Sequence, residues 1–204
     1  MPLHKTINHD FHTKILVWHI TESLEQLLSQ VFLSPSNQLR ISTMKSEMHQ
    51  RAFLSVRKLL QQINFSDNDL WYDETGKPHL SNHQFISITH SHEFSAIIIS
   101  DKKVGIDIEM QREKIIKIAD KFSLEPISKK NEHNYIQKLT VIWGAKEAIF
   151  KIKNQKGISF KNHINVEPFE IENQKAIATL NFEKSQEQFN INFLEIENYI
   201  LVYI

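Results

Sequence analysis

The stretch Val104-Gly105-Ile106-Asp107-Ile108-Glu109 places two carboxylates two residues apart inside a β-branched run. Side chains alternate along an extended strand. Val104, Ile106 and Ile108 therefore share one face, and Gly105, Asp107 and Glu109 the other. Residues two apart are separated by ~6.6 Å along a strand. At an effective dielectric of about 20, like charges at that spacing repel by roughly 2.5 kcal/mol, and by well under ~1 kcal/mol in open water. Either the face is wet or a cation sits there. Taken alone, an Asp-x-Glu pair is more often the polar outer face of a half-exposed strand, so further evidence must come from elsewhere in the chain. Gly105 adds a little, because a glycine inside a strand often marks the close approach of another backbone or a ligand.

The second feature is "WGAKEAIFK", Trp143 to Lys151. On a helix Glu147 and Lys151 lie four apart, and Ala148 is small enough to let the helix pack closely on a sheet. By itself this is an ordinary surface Glu–Lys pair worth a few tenths of a kcal/mol. Taken with the strand, Asp107, Glu109 and Glu147 offer three hard oxygen donors of the kind Mg²⁺ prefers, and Mg²⁺ usually binds a few carboxylates together with substrate phosphate. Lys146 and Lys151 would then face that phosphate.

Composition narrows the partners. Lys plus Arg equals Asp plus Glu at 24 each in 204 residues, so long-range charge gives no reason to expect nucleic-acid binding or attachment to an acidic membrane. Any anion must be held by local placement. The chain has no cysteine, which excludes a disulfide framework, a thiol nucleophile and thiolate metal sites, and suits a reducing compartment. The start "MPLHKTINHDFHTK" lacks the apolar core of a signal peptide, and no apolar run is long enough to span a bilayer, so the expectation is a cytoplasmic protein. Eleven histidines invite a zinc reading, at His79 with His83 or His90 with His92, but no third ligand stands at a suitable spacing. No P-loop or dinucleotide-binding glycine pattern occurs.

Along the chain, "KILVWHI" reads as a strand, and Thr21 as the cap of a helix bearing Leu24, Leu27, Leu28 and Val31. A longer helix is expected from about residue 38 to 63. Short strands follow in "LWYD", "FISIT", "SAIIIS" and "VGIDIE". Helical periodicity returns in "KIIKIADKF" and "YIQKLTVIWGAKEAIFK", and the end is strand-rich in "AIATLNF", "FNINFLEI" and "YILVYI". The order strand, helices, strands thus occurs twice, with a seam near residue 102, which suggests two similar lobes.

"VGIDIE" followed by "WGAKEAIFK" resembles the two signature motifs of the 4'-phosphopantetheinyl transferase superfamily. Upstream, "TGKPHL" resembles the family's GKP segment and "SITHS" its Ser-His segment; "KNQKGIS" resembles the loop after the third motif. The length and element order are similar to the monomeric, two-lobed surfactin-synthetase-activating type. The resemblance implies an α+β fold of two similar lobes, 1–102 and 103–204, each with a long helix packed on a small, mostly antiparallel sheet. A pseudo-twofold would relate them, with the site between the lobes of one compact unit. Three departures stand out. Gly144 occupies a position where the family usually has a small hydroxyl residue, Thr89 replaces the more usual serine before His90, and the connection between the second and third motifs is short.

What the family does is then the expected activity: transfer of the 4'-phosphopantetheine arm of coenzyme A to a serine of an acyl or peptidyl carrier protein, releasing adenosine 3',5'-bisphosphate. The resemblance implies that Asp107, Glu109 and Glu147 hold Mg²⁺, with Mn²⁺ as the alternative, and that Lys151 adds positive charge on the same phosphate. It implies Glu125, in "KFSLEP", as a base; Glu125 reads equally as a first-turn helix residue. For the adenine and 3'-phosphate it points to Lys77, Thr89, His90 and Arg40, with Lys45 or Arg51 as further cations. The competing expectation is a catalytically silent module of the same fold that binds coenzyme A or a carrier protein. A weaker one is another Mg²⁺ phosphotransferase on an unrelated α+β fold.

Overall fold

A computed structural model describes residues 3–123 and 132–204. The chain divides into two compact units, Met1–Val104 and Gly105–Ile204, each mixing helices with antiparallel strands.

In the first unit, β1 (Leu3–Asn8), β2 (Lys14–His19), β5 (Phe85–Ser91) and β6 (Phe94–Ser100) form a sheet in the order β1-β2-β6-β5. A short hairpin of β3 (Leu70–Tyr72) and β4 (Pro78–Leu80) stands beside β5. The helices are α1 (Leu24–Gln30), α2 (Pro35–Ser42) and α3 (Glu47–Gln61). Ser23, not Thr21, caps α1, through a reciprocal box with Gln26. The single helix expected over 38 to 63 is broken. Thr43 ends α2, and Ser46, in an extended conformation, restarts the chain by accepting the backbone N–H of His49. A hydrophobic period that continues across the gap cannot reveal such a break; the serine is its signal. Residues Ala52 to Leu60 bury α3 against β6, β2 and α1. Arg57 and Asp67, each 2% exposed, pair there at 2.8 Å, and Asp67 also accepts from Asn37 and from the Ser34 amide.

In the second unit the sheet runs β7-β11-β10-β9-β8, from β7 (Ile106–Met110), β8 (Ile164–Val166), β9 (Lys175–Phe182), β10 (Ser185–Ile196) and β11 (Tyr199–Tyr203). The helices are α4 (Lys114–Ile118), α5 (Glu132–Lys153) and α6 (Phe160–His163). The meander β9-β10-β11 sets the register, and β7 joins it by pairing Asp107 with Val202 and Glu109 with Ile200. Gly105 and Ile204 exchange backbone hydrogen bonds at 3.3 and 3.0 Å and so lengthen that ladder by one step. Helix α5 lies on β7 and β11 and buries Val141, Ala145, Ala148 and Ile149.

The contact that seats α5 is backbone on backbone. A Cβ built on Gly105 would overlap the backbone carbonyl of Ala148, so the separation of helix and strand requires a glycine at 105. Gly105→Ala is therefore expected to lower the unfolding free energy by about 1–3 kcal/mol or more, as overpacking does. Urea denaturation checks this; a midpoint equal to that of the parent chain would contradict it.

Candidate active site

Four of the expected site residues lie on the two elements joined by the Gly105–Ala148 contact. Asp107 and Glu109 come from β7, and Glu147 and Lys151 from one face of α5. The even-numbered β7 residues Ile106 and Ile108 are fully buried, while Asp107 is 5% exposed and Glu109 half-buried. The strand alternation read from the sequence is the one the chain adopts.

The Lys151 ammonium donates to Oδ1 of Asp107 and to the Ile106 carbonyl, both at 2.8 Å. An ammonium has three hydrogens, so one donor direction remains after these two. Glu147 responds both to its burial and to the charges around it. Burial above all pushes its carboxyl up to about 7; the charges of Asp107 and, less strongly, Glu109 push the same way, and Lys151 opposes them. One ammonium among three carboxylates leaves an excess of negative charge in a partly desolvated place. All-oxygen donors with that excess fit a hard divalent cation such as Mg²⁺. Such an ion would share Asp107 with Lys151 or displace the ammonium.

Lys146 does not face this site. It is 3% exposed, and its ammonium donates to the carbonyls of Phe160, at 2.7 Å, and Ile164. It binds α5 to the segment containing α6, and burial lowers it to about 8. Helical spacing explains the correction, since Lys146 precedes Glu147 by one residue and so points about 100° away around the helix. Gly144 has a physical reason as well. A Cβ there would stand 2.7 Å from Val202 Cγ2 and 3.6 Å from Asp107 Oδ2, so Val202 fills the space a side chain would need.

The residues expected to hold the far end of coenzyme A belong to the first unit. Thr89 is buried in β5 and His90 is exposed just after it. Lys77 lines a cavity of about 280 Å³ with Trp71, Phe85 and Lys103; burial and the charge of Lys103 lower its pKa. Neither Thr89 nor His90 lines that cavity. The Arg40 guanidinium lies over the rings of Tyr72, at 4.9 Å, and Phe53, at 5.5 Å. Arg51 is committed elsewhere, donating to the carbonyls of Glu22 and Ile20 at 2.8 Å. Lys45 is exposed. Glu125 lies outside the described residues. Sequence reasoning missed His49, whose ring sits 6.0 Å from that of His90, and Lys103; nothing in the spacing of eleven histidines singles His49 out.

Comparison with known proteins identifies a family. The 4'-phosphopantetheinyl transferase superfamily matches over residues 103–204, half of the chain and the half that carries the carboxylates. The chain belongs to that superfamily. The 4'-phosphopantetheinyl transferase gsp of Aneurinibacillus migulanus is 32% identical over 105 residues, which cover 48% of this chain and 44% of that protein. The match thus spans less than half the length of that curated relative. Among the described residues no helix is long and apolar enough to cross a membrane.

Two predictions follow from the packing. Glu147 holds its proton more tightly folded than unfolded, so without metal the chain should lose about 2–3 kcal/mol of stability as pH rises from about 4.5 to about 7. In Glu147→Gln that dependence disappears; equal pH dependence in parent and variant, by urea denaturation in chelator, would contradict the account. Gly144→Ser should destabilise by about 1–3 kcal/mol, and adding Val202→Ala should recover part of the loss. Additive losses in thermal melts of the single and double variants would exclude the proposed clash.

Proposed function

We propose that the protein transfers the 4'-phosphopantetheine arm of coenzyme A to a serine of an acyl or peptidyl carrier protein, with release of adenosine 3',5'-bisphosphate. The observation that carries this reading is the gathering of Asp107, Glu109, Glu147 and Lys151 on β7 and α5, within the residues matched by the superfamily. Asp107, Glu109 and Glu147 would hold Mg²⁺, or Mn²⁺ in its place. The ion would supply charge neutralisation at the diphosphate.

The chain's own part is charge and proton management. The carrier serine Oγ attacks the phosphorus that bears the pantetheine arm. A bond from that oxygen to phosphorus forms, and the bond from phosphorus to the bridging oxygen breaks, the electron pair leaving with adenosine 3',5'-bisphosphate. Lys151 has a hydrogen left for a phosphate oxygen, where negative charge grows during transfer. The serine proton goes to a carboxylate outside the metal ligands, Glu125 in this reading. The nucleophile belongs to the partner, so a chain without cysteine lacks nothing for this chemistry.

Lys77, Thr89, His90 and Arg40 form the proposed contacts to the adenosine end of coenzyme A. The reading takes the protein as a cytoplasmic monomer whose halves are alike; a long helix beside an antiparallel sheet in each unit supports the likeness. A silent binding module of the same fold is the second reading, and the complete set of carboxylates and Lys151 weighs against it.

The deciding assay incubates the protein with coenzyme A, Mg²⁺ and a panel of unmodified carrier proteins, with and without chelator. The expected result is a carrier heavier by one phosphopantetheine arm, abolished by chelator and slowed about 100-fold or more in Asp107→Ala. Coenzyme A binding without mass gain on any carrier would favour the silent module.

A further inference from the structure

Strand β1, at the edge of the first unit's sheet, carries a bulge. Leu3 stands opposite Trp18, but the next paired residue, Lys5, stands opposite Val17, so His4 is the extra residue. Leu3, Leu16 and Trp18 pack into the core that α3 covers, and strand alternation therefore puts Val17 and His19 on the other face of β2. Phe94 of β6 is fully buried and pairs with His19 across the ladder. The bulge brings His4 to the same group of rings. His19 stacks on Phe94 with centroids 4.6 Å apart and 14° between the planes. His4 meets Phe94 edge-on at 5.3 Å and 82°, and His19 at 6.0 Å and 84°. Bulges re-aim side chains, often beside functional sites.

Ring packing needs no nitrogen, and two imidazoles supply one each: the ligand nitrogens of His4 and His19 lie within 4.8 Å of one another. Two nitrogens that share a tetrahedral ion, each ~2.0–2.1 Å from it, stand ~3.4 Å apart. A small turn of the exposed His4 closes that gap, while the half-buried His19 is held in place by its stack on Phe94. We propose that His4 and His19 form a two-imidazole site for a first-row transition ion of the zinc type, with water or an outside ligand completing the coordination. The site is chemically distinct from the carboxylates of β7 and α5. Imidazole suits zinc, whereas Mg²⁺ and Mn²⁺ favour oxygen, so the two classes of ion sort between the two sets of ligands. Bound there, the ion ties the bulged edge strand to its neighbour β2 and stabilises the first unit. The proposal does not depend on the transferase reading.

The test is calorimetric titration of Zn²⁺ into the full chain, with Mg²⁺ in excess to occupy the carboxylates, repeated on His4→Phe, His19→Phe and the double variant. Zn²⁺ affinity should fall about tenfold or more in each single variant, with little further loss in the double variant, because both rings serve one ion. Phenylalanine keeps the ring contacts, and melts in chelator check that each variant folds as the parent does. In the parent chain the nitrogen-15 resonances of the His4 and His19 rings should shift together as Zn²⁺ is added, a readout that needs no variant. Zn²⁺ at ten times its Kd should raise the melting temperature of the parent by about 3 °C or more, and that rise should vanish in the variants. Zn²⁺ affinity unchanged in both single variants would mean that the rings only pack, and would overturn the proposal. Parent ring resonances that do not respond to the ion would overturn it as well, whatever the variants do.

Discussion

The closeness of α5 to β7 governs the second unit. Gly105 has no side chain, Ala148 has one methyl, and the backbone carbonyl of Ala148 occupies the place a Cβ would take. At that separation side chains from a strand and a helix far apart in sequence can share charge. Lys151 reaches both the Asp107 carboxylate and the Ile106 carbonyl, and burial first, with the charge of Asp107 and Glu109 behind it, pushes the Glu147 carboxyl up to about 7. A side chain at position 105 would push the helix outward. The ion pair would lengthen, and the crowding that makes the site attractive to a cation would relax.

Several charged groups of the chain are committed to holding the fold. Lys146 is adjacent to Glu147 in sequence and yet serves the fold, spending its ammonium on two carbonyls near α6. Arg51 and Arg57 do the same in the first unit, the former on the carbonyls of Ile20 and Glu22, the latter on Asp67 in a buried pair. Breaking such a buried pair from one side leaves an uncompensated charge, which is why these groups are poor candidates for a ligand they would have to release. Lys151 differs because its third hydrogen is not spent on the two bonds that place it.

Much of this was legible in the residues. The two-residue alternation on β7 follows from the strand itself, and the meander of strands at the end of the chain follows from β-branched runs with short turns. What was not legible has physical causes. The break between α2 and α3 is set by the capping hydroxyl of Ser46 while the apolar period runs on. Strands β1, β4 and β8 are short or carry polar residues on their outer faces, and pairing partners rather than local pattern make them strands. The direction of Lys146 and the meeting of His49 with His90 depend on how helices are rotated against their neighbours, which a one-dimensional pattern does not contain. Gly144 looked like a lost hydroxyl and proved to be a fitted gap against Val202.

The central claim is that side chains from β7 and α5 make one cation site. Electron paramagnetic resonance of Mn²⁺ added to the metal-free chain, without coenzyme A or carrier, reads that site directly. One bound ion per chain is predicted, with affinity reduced about tenfold or more in each of Asp107→Ala, Glu109→Ala and Glu147→Ala. Binding that is unchanged in all three variants, or no binding in the parent chain, would contradict the account.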